Sequence, residues 1–194
     1  LVGRSGAGKT TALTRSRLSL PLQQVDRNAQ IVQTANCDWW FFDDAVLIDC
    51  AGRYVEAEGS REDREEWSVV LDQLARYRPQ EGINGLVLTI DVRRLQNPDR
   101  DGLAEEGRVL RERIEQLIRL FDRRFPIYLL VTQCDHLYGW EDWSARLEPG
   151  ALDHAMGYLA TDTEQRFVDR AFARIGERLG LLRLQLAARA PGAT

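Results

Sequence analysis

The sequence predicts an α/β chain, a mostly parallel sheet with helices on both faces, plus a C-terminal helical segment. Three observations carry this expectation. A glycine-rich turn, Gly3-Arg4-Ser5-Gly6-Ala7-Gly8-Lys9-Thr10, stands where a strand gives way to a helix. Two runs, Gly85–Ile90 (GLVLTI) and Ile127–Thr132 (IYLLVT), are largely apolar along their length, as strands buried on both faces are. Segments with apolar residues at helical spacing alternate with these runs, as parallel crossover connections require.

The elements follow in order. Leu1-Val2 reads as the end of a buried first strand, so the chain is taken as cut inside that strand, with membrane spans left to segments outside it. Thr10–Leu20 is expected to be helical and to end near Pro21, because proline cannot continue a helix. Val25–Ala35 is mostly polar and reads as a loop. Cys37–Phe42 and Ala45–Asp49 flank Asp43-Asp44 and read as a hairpin with a two-residue turn. Gly52–Arg61 reads as loop. Trp67, Val70, Leu71, Leu74 and Ala75 recur at helical spacing and stop before Pro79. Leu110, Ile114, Leu117, Ile118 and Phe121 mark a long amphipathic helix between the two apolar strands. Thr161–Ala190 is a charged helix with Phe167, Ala171, Ile175, Leu179 and Leu182 along one stripe. These spans predict a core over residues 1–140, its first strand truncated, and a mainly helical extension over 141–194.

Composition narrows the function. The chain has 194 residues, 44% of them hydrophobic, enough for one sizeable core. The formal net charge is -4 and no basic tract exists, which leaves no electrostatic case for nucleic acid. Cys37, Cys50 and Cys134 lack CxxC spacing and read as reduced, partly buried thiols. No apolar run reaches the roughly 18 residues of a membrane span, and no signal peptide is visible.

The chemistry centres on residues 3–10. They match G-x-x-x-x-G-K-[ST], the P-loop, whose backbone N–H groups turn inward on phosphate oxygens at a helix N-terminus. Of the 26 basic residues, Lys9 alone is lysine. A compact ammonium on a thin stem fits inside a loop closed round phosphates, whereas a planar guanidinium does not. Lys9 is expected on the β- and γ-phosphates and the Thr10 hydroxyl on Mg²⁺. The nucleotide-contacting set is thus Gly3, Arg4, Ser5, Gly6, Ala7, Gly8, Lys9, Thr10 and Thr11.

Asp49-Cys50-Ala51-Gly52 ends an apolar run and has the D-x-x-G spacing of a switch II segment. Asp49 is placed to hold Mg²⁺ and the Gly52 N–H to sense a γ-phosphate, so Lys9, Asp49 and Gly52 form the predicted catalytic set. Thr34, three residues before the hairpin, sits where Ras-like GTPases carry the switch I threonine that completes the Mg²⁺ shell. The metal set is therefore Thr10, Thr34 and Asp49. Thr132-Gln133-Cys134-Asp135 resembles [NT]-K-x-D, the guanine-reading motif. Thr132 and Asp135 are candidate base-side residues, with Gln133 in place of the lysine whose stem and charge lie over the base. Asp135 is otherwise a strand-end cap. Arg53 stands where Ras-like enzymes carry a water-orienting Gln. Two readings of it stand: γ-phosphate charge stabilisation, or a surface arginine. In Trp39-Trp40-Phe41-Phe42 alternate side chains face opposite ways, one face core and the other covered by a helix or open for docking. His136 and His154 form no ligand or triad pattern.

The run Thr34–Tyr54 resembles the TssM (IcmF) family of type VI secretion, as do Tyr77–Gly85 and Phe125–Trp140. The resemblance covers about residues 1–140. It implies the cytoplasmic NTPase-like domain of a large bacterial inner-membrane protein, tethered by transmembrane helices outside this segment and continued by a periplasmic part. It implies a membrane complex with TssL and TssJ, and contact with baseplate components. The family's P-loop falls on Gly3–Thr10, its switch II on Asp49–Gly52 and its T-K-C-D on Thr132–Asp135. Gln133 departs from the usual lysine and Cys50 from the usual threonine. The expected function is Mg²⁺-dependent binding and slow hydrolysis of GTP or ATP, GTP favoured, as an assembly switch. The alternative is a nucleotide-binding scaffold with little or no turnover.

Overall fold

The computed structural model describes residues 1–16, 18, 36–56, 59–80, 82–96, 99–148, 150, 156–160 and 166–189. The chain divides into two compact units, Leu1–Leu137 and Tyr138–Thr194. In chain order the first unit carries α1 (Lys9–Thr14), β1 (Cys37–Phe41), β2 (Val46–Cys50), α2 (Arg61–Tyr77), β3 (Leu86–Asp91), α3 (Val92–Gln96), α4 (Arg100–Phe121) and β4 (Ile127–Thr132).

β1 and β2 pair antiparallel with Cys37 opposite Cys50 and Phe41 opposite Val46. The Phe42 N–H donates to the Ala45 carbonyl at 2.8 Å, closing the two-residue turn at Asp43-Asp44. β3 and β4 pair parallel, Leu86 with Ile127 through Asp91 with Thr132. Leu1 and Val2 join the two pairs. The Leu1 nitrogen donates to Ile48 O at 2.7 Å, and the Cys50 N–H donates to Leu1 O at 3.1 Å. On the other side the Val2 N–H donates to Val87 O at 2.9 Å and the Thr89 N–H to Val2 O at 2.8 Å. These staggered bonds are a parallel ladder. Across the sheet the order is β1, β2, the Leu1–Val2 segment, β3, β4, and all but β1 run the same way. The segments that leave the carboxyl ends of these parallel strands therefore meet at one end of the sheet, where open α/β sheets bind ligands.

Two long helices cover the core. Ser60 caps α2 with a reciprocal capping box: its hydroxyl accepts from the Asp63 N–H while the Asp63 carboxylate accepts from the Ser60 N–H. Asp99 caps α4 through the Gly102 N–H. Trp67 of α2 and Leu110 and Leu117 of α4 pack with Val2, Cys50, Leu86, Leu88, Tyr54 and Val55. Tyr54 and Val55 belong to a 3₁₀ turn, Gly52–Val55, inside the segment expected to be loop. The Tyr54 and Trp67 rings lie 5.8 Å apart, and the Trp67 indole N–H reaches Gln116 Oε1 at 2.8 Å. Arg113 Nε donates to the Tyr54 carbonyl at 2.7 Å. The buried turn is thereby fastened to both helices. A recess of about 430 Å³ between α2 and α4, lined by Trp67, Leu71, Arg113 and Gln116 among others, contains none of residues 3–10.

Two expectations change, for α1 and β4, while the hairpin keeps the alternation expected of it. α1 ends at Thr14 rather than Leu20 because the Ser16 hydroxyl takes the Leu13 carbonyl at 2.8 Å and the Thr14 hydroxyl takes that of Thr11 at 3.0 Å, side-chain bonds that compete with the helical ladder. β4 is not buried: Ile127 to Val131 are 37–59% exposed. Among the described residues it is the outer strand, while Trp67, Leu110 and Leu117 pack over Leu86 and Leu88 of β3. In the hairpin, Trp39 and Phe41 are half exposed while Phe42 is buried and stacks on Trp40 at 6.4 Å. Cys37, Ile48 and Cys50 extend the exposed residues' own face into the core. The three cysteines are free, and the hydrogen bond shared by the facing Cys37 and Cys50 thiols, with burial, pushes the Cys37 thiol pKa up.

The second unit carries α5 (Trp140–Ser144) and α6 (Phe167–Arg189). Trp140 packs on Trp143 with ring centres 5.1 Å apart, and Tyr158 on Phe167 at 5.7 Å. Residues 161–165 and 190 of the expected helix lie outside the described residues. Among the described residues no helix is long and apolar enough to cross a membrane.

Candidate functional site

The loop from Gly3 to Gly8 leaves the Leu1–Val2 segment and turns into α1 at a glycine in the left-handed region, Gly8 with φ 70°. A side chain there would be strained, and the turn sets Lys9 as the first residue of α1. Lys9 is 7% exposed. Its ammonium donates to Gly3 O at 2.8 Å and Arg4 O at 3.0 Å, so the loop closes on its own lysine. Burial pushes the Lys9 pKa down, opposed by the nearby Asp49 charge.

Thr10 follows on α1, and its hydroxyl donates to Asp49 Oδ2 at 2.6 Å. Asp49 ends β2 next to Cys50 and is fully buried. A hydroxyl and a carboxylate in contact are hard oxygen donors of the kind Mg²⁺ takes. No group of three or more His, Cys, Asp or Glu able to hold a metal occurs among the described residues. Thr10 and Asp49 thus fit an ion that draws its remaining ligands from phosphate and water, as Mg²⁺ commonly does.

Gly52 touches the same loop. A Cβ built on it would lie 2.0 Å from the Ser5 nitrogen, so only glycine permits this approach. The Ser5 N–H donates to Glu56 Oε1 at 3.2 Å. A carboxylate on this loop N–H is an anion where phosphate oxygens are expected. Arg4 enters differently from expectation. Its carbonyl serves Lys9, but its guanidinium pairs with buried Glu106 of α4 at 3.5 Å. Thr11 contributes its carbonyl to the Arg15 N–H at 3.1 Å, inside α1.

The turn after β4 grips the loop from the other side. The Thr132 hydroxyl donates to Ala7 O at 2.8 Å and Ile90 O at 3.2 Å. Gln133 sits at φ 56° and donates its amide N–H to Gly6 O at 2.6 Å. Asp135, in the 3₁₀ turn Cys134–His136, has an exposed carboxylate, with His136 Nε2 at 3.9 Å.

Arg53 is neither at the glycine-rich loop nor idle on the surface. It pairs with Glu66 and with Asp63 of α2, the latter at 3.2 Å, and donates to Asn36 Oδ1 at 2.6 Å and the Tyr54 hydroxyl at 3.2 Å. Its side chain ties the turn after Gly52 to α2. Thr34 lies outside the described residues.

The structure therefore gathers Gly3–Thr10, Asp49, Gly52 and Thr132, with Asp135 in the adjoining turn. Sequence reasoning missed Glu56 and Arg93, whose contacts are non-local. Only the Ser60-x-x-Asp63 spacing was a readable signal that α2 begins at Arg61 and so presents Asp63 and Glu66 to Arg53.

Fold and site together define a domain in which a glycine-rich loop closes round a buried lysine at the carboxyl end of a parallel sheet. Residues 60–193 match the family profile of the IcmF-related N-terminal domain. The chain is 32% identical over 193 aligned residues to the type VI secretion system component TssM1 of Pseudomonas aeruginosa, covering 97% of this chain and 18% of that protein. It therefore belongs to the TssM (IcmF) family. It is also 31% identical over 96 residues, 48% of this chain and 45% of the relative, to the probable GTP-binding protein EngB of an Exiguobacterium species. The chain thus spans less than half the length of either relative. No solved structure matches it.

Proposed function

We propose that residues 1–137 are a Ras-like P-loop domain that binds a nucleoside triphosphate with Mg²⁺ and hydrolyses it slowly, and that the bound state biases assembly of a type VI secretion membrane complex. The observation that carries the proposal is the convergence of buried Lys9, the Thr10–Asp49 pair and Gly52 on one loop.

The loop's N–H groups and the start of α1 favour an anion. Phosphate oxygens compete with the Gly3 and Arg4 carbonyls for the Lys9 ammonium, which then sets its charge against theirs. Thr10 and Asp49 would hold Mg²⁺, which supplies charge neutralisation across the β- and γ-phosphates. Entry of a γ-phosphate requires the Glu56 carboxylate to leave the Ser5 N–H, and it brings Gly52 under the control of the ligand. The 3₁₀ turn after Gly52 is buried against Trp67 and fastened to Arg113, so movement there reaches α2 and α4. GTP is favoured over ATP by the exposed Asp135 and by the similarity to a probable GTP-binding protein.

On this reading the switch acts at the cytoplasmic face of the bacterial inner membrane, with TssL, TssJ and baseplate components as partners; membership of the TssM (IcmF) family supports a type VI secretion role. One observation favours the scaffold alternative, with little turnover: Arg53, at the water-orienting position, is committed to Asp63 and Glu66. Turnover of GTP and ATP by the purified chain, beside Lys9→Ala, separates the two. Hydrolysis that depends on Lys9 supports the switch. Binding without Lys9-dependent hydrolysis leaves the scaffold, and no binding at all overturns both.

A further inference from the structure

The base-side motif lacks its lysine, yet Gln133 is held in a backbone conformation that side chains rarely adopt, φ 56°. Such positions persist only where surrounding contacts over-determine them. Here both ends of the Gln133 amide are engaged. Its nitrogen donates to Gly6 O of the phosphate loop at 2.6 Å, and its oxygen accepts from Arg93 Nη2 at 2.7 Å. Arg93 lies at the start of α3, directly after β3. Its Nε donates to Asp91 Oδ2 at 2.9 Å and its backbone N–H to Asp91 Oδ1 at 2.8 Å. The guanidinium remains half exposed, and Asp135 is close enough to help hold its pKa up, after the larger effect of Asp91.

A lysine at position 133 would do two things at once: place an ammonium beside the loop carbonyl and lay charge over the base. In this chain the loop carbonyl is already served by the Gln133 amide. The charge stands one side chain away, on a planar guanidinium fixed by Asp91 and Gln133 and facing the same turn as Asp135. A guanidinium stacks on an aromatic face more readily than an ammonium does. Resting on the triphosphate-binding reading above, we propose that Arg93 is the base-side cation of this site and covers the purine of a bound nucleoside triphosphate, while Gln133 keeps only the tether to Gly6.

The test compares GTP, ATP and inorganic tripolyphosphate, each with Mg²⁺, on the purified chain, Arg93→Ala, Gln133→Lys/Arg93→Ala and Lys9→Ala. Melting curves verify that each variant is folded; Arg93 is a surface residue and its loss should leave the core intact. Arg93→Ala is expected to weaken both nucleotides about tenfold and to leave tripolyphosphate unchanged. The double variant is expected to recover nucleotide binding, because the lysine restores a cation to the base. Equal weakening of nucleotide and tripolyphosphate would make Arg93 a brace of the loop and overturn the proposal. So would nucleotide binding unchanged by Arg93→Ala. If Lys9→Ala abolishes binding of all three ligands while Arg93→Ala alters none, the base-side inference alone falls. If the parent chain binds none of them, or Lys9→Ala changes nothing, the phosphate reading falls and takes this inference with it.

Discussion

Replacing Gly52 by alanine probes the close approach to Ser5 on which the proposed nucleotide response depends. The added Cβ would lie 2.0 Å from the Ser5 nitrogen, 2.4 Å from Ser5 Cα and 2.5 Å from the Arg4 carbonyl carbon. Ordinary contact begins at 3.4 Å, so 3.4 less 2.0 leaves 1.4 Å to be made up by moving one backbone segment away from another. All three obstructing atoms are main chain, and neither segment is free to retreat. Tyr54 and Val55 are buried in the core beside Gly52, and Ala7 and Gly6 are bonded to Thr132 and Gln133. The cost belongs at the upper end of overpacking effects, about 3 kcal/mol. For a chain of this size that is a fall in Tm of about 6–12 °C. The widened gap should also remove the preference for triphosphate over diphosphate. Thermal melting and paired titrations with Mg²⁺-GDP and a non-hydrolysable GTP analogue read both effects. Gly107→Ala is the control. It sits inside α4 with nothing within 4 Å of a built Cβ, and should stabilise by up to about 1 kcal/mol. A Gly52→Ala chain that melts with the parent and keeps its triphosphate preference would refute the close approach and the role given to it.

Trp67→Ala removes the indole that packs on Tyr54 and bonds to Gln116, and should cost about 3–5 kcal/mol in denaturant unfolding; a loss below about 1 kcal/mol would contradict the core described. Glu56→Gln keeps a hydrogen-bond acceptor but removes the charge beside the Ser5 N–H. It should tighten Mg²⁺-GTP binding about three- to tenfold, whereas weaker binding would show that Glu56 helps hold the ligand. Asp91 has its pKa lowered, chiefly by its bond to Arg93. A depressed carboxyl contributes stability above its unfolded pKa and loses it as pH falls through the folded value. Asp91→Asn should therefore destabilise at neutral pH, and the gap in Tm should close below the usual carboxylate range; a gap constant with pH would show that charge is not its source.

The glycine-rich loop that closes on Lys9 was legible because its requirements are local: glycines at the turns, one lysine and one hydroxyl within eight residues. The hairpin was legible for the same reason, with Asp43-Asp44 between two apolar runs. The capping box at Ser60 and Asp63 was readable but lay in a stretch taken for loop. α3 and α5 have five residues each, too few for a helical period to show. The exposure of β4 could not be read, because an apolar run shows a tendency to burial without naming what covers it. Glu56 on Ser5 and Arg93 on Gln133 join residues 51 and 40 positions apart. Nothing in local pattern announces such pairs. They follow from the strand order that brings four carboxyl-end segments together. Arg53 is the opposite case, since its place after Gly52 suggested chemistry and its four partners make it a tether.

Everything proposed for this chain depends on the loop closed on Lys9 being a triphosphate site. Calorimetric titration of the purified chain with a non-hydrolysable GTP analogue and Mg²⁺, beside Lys9→Ala, tests it most directly. Saturable one-to-one binding is expected, weakening by about a hundredfold or more without the ammonium. Equal binding by the two chains, or none by either, would contradict it.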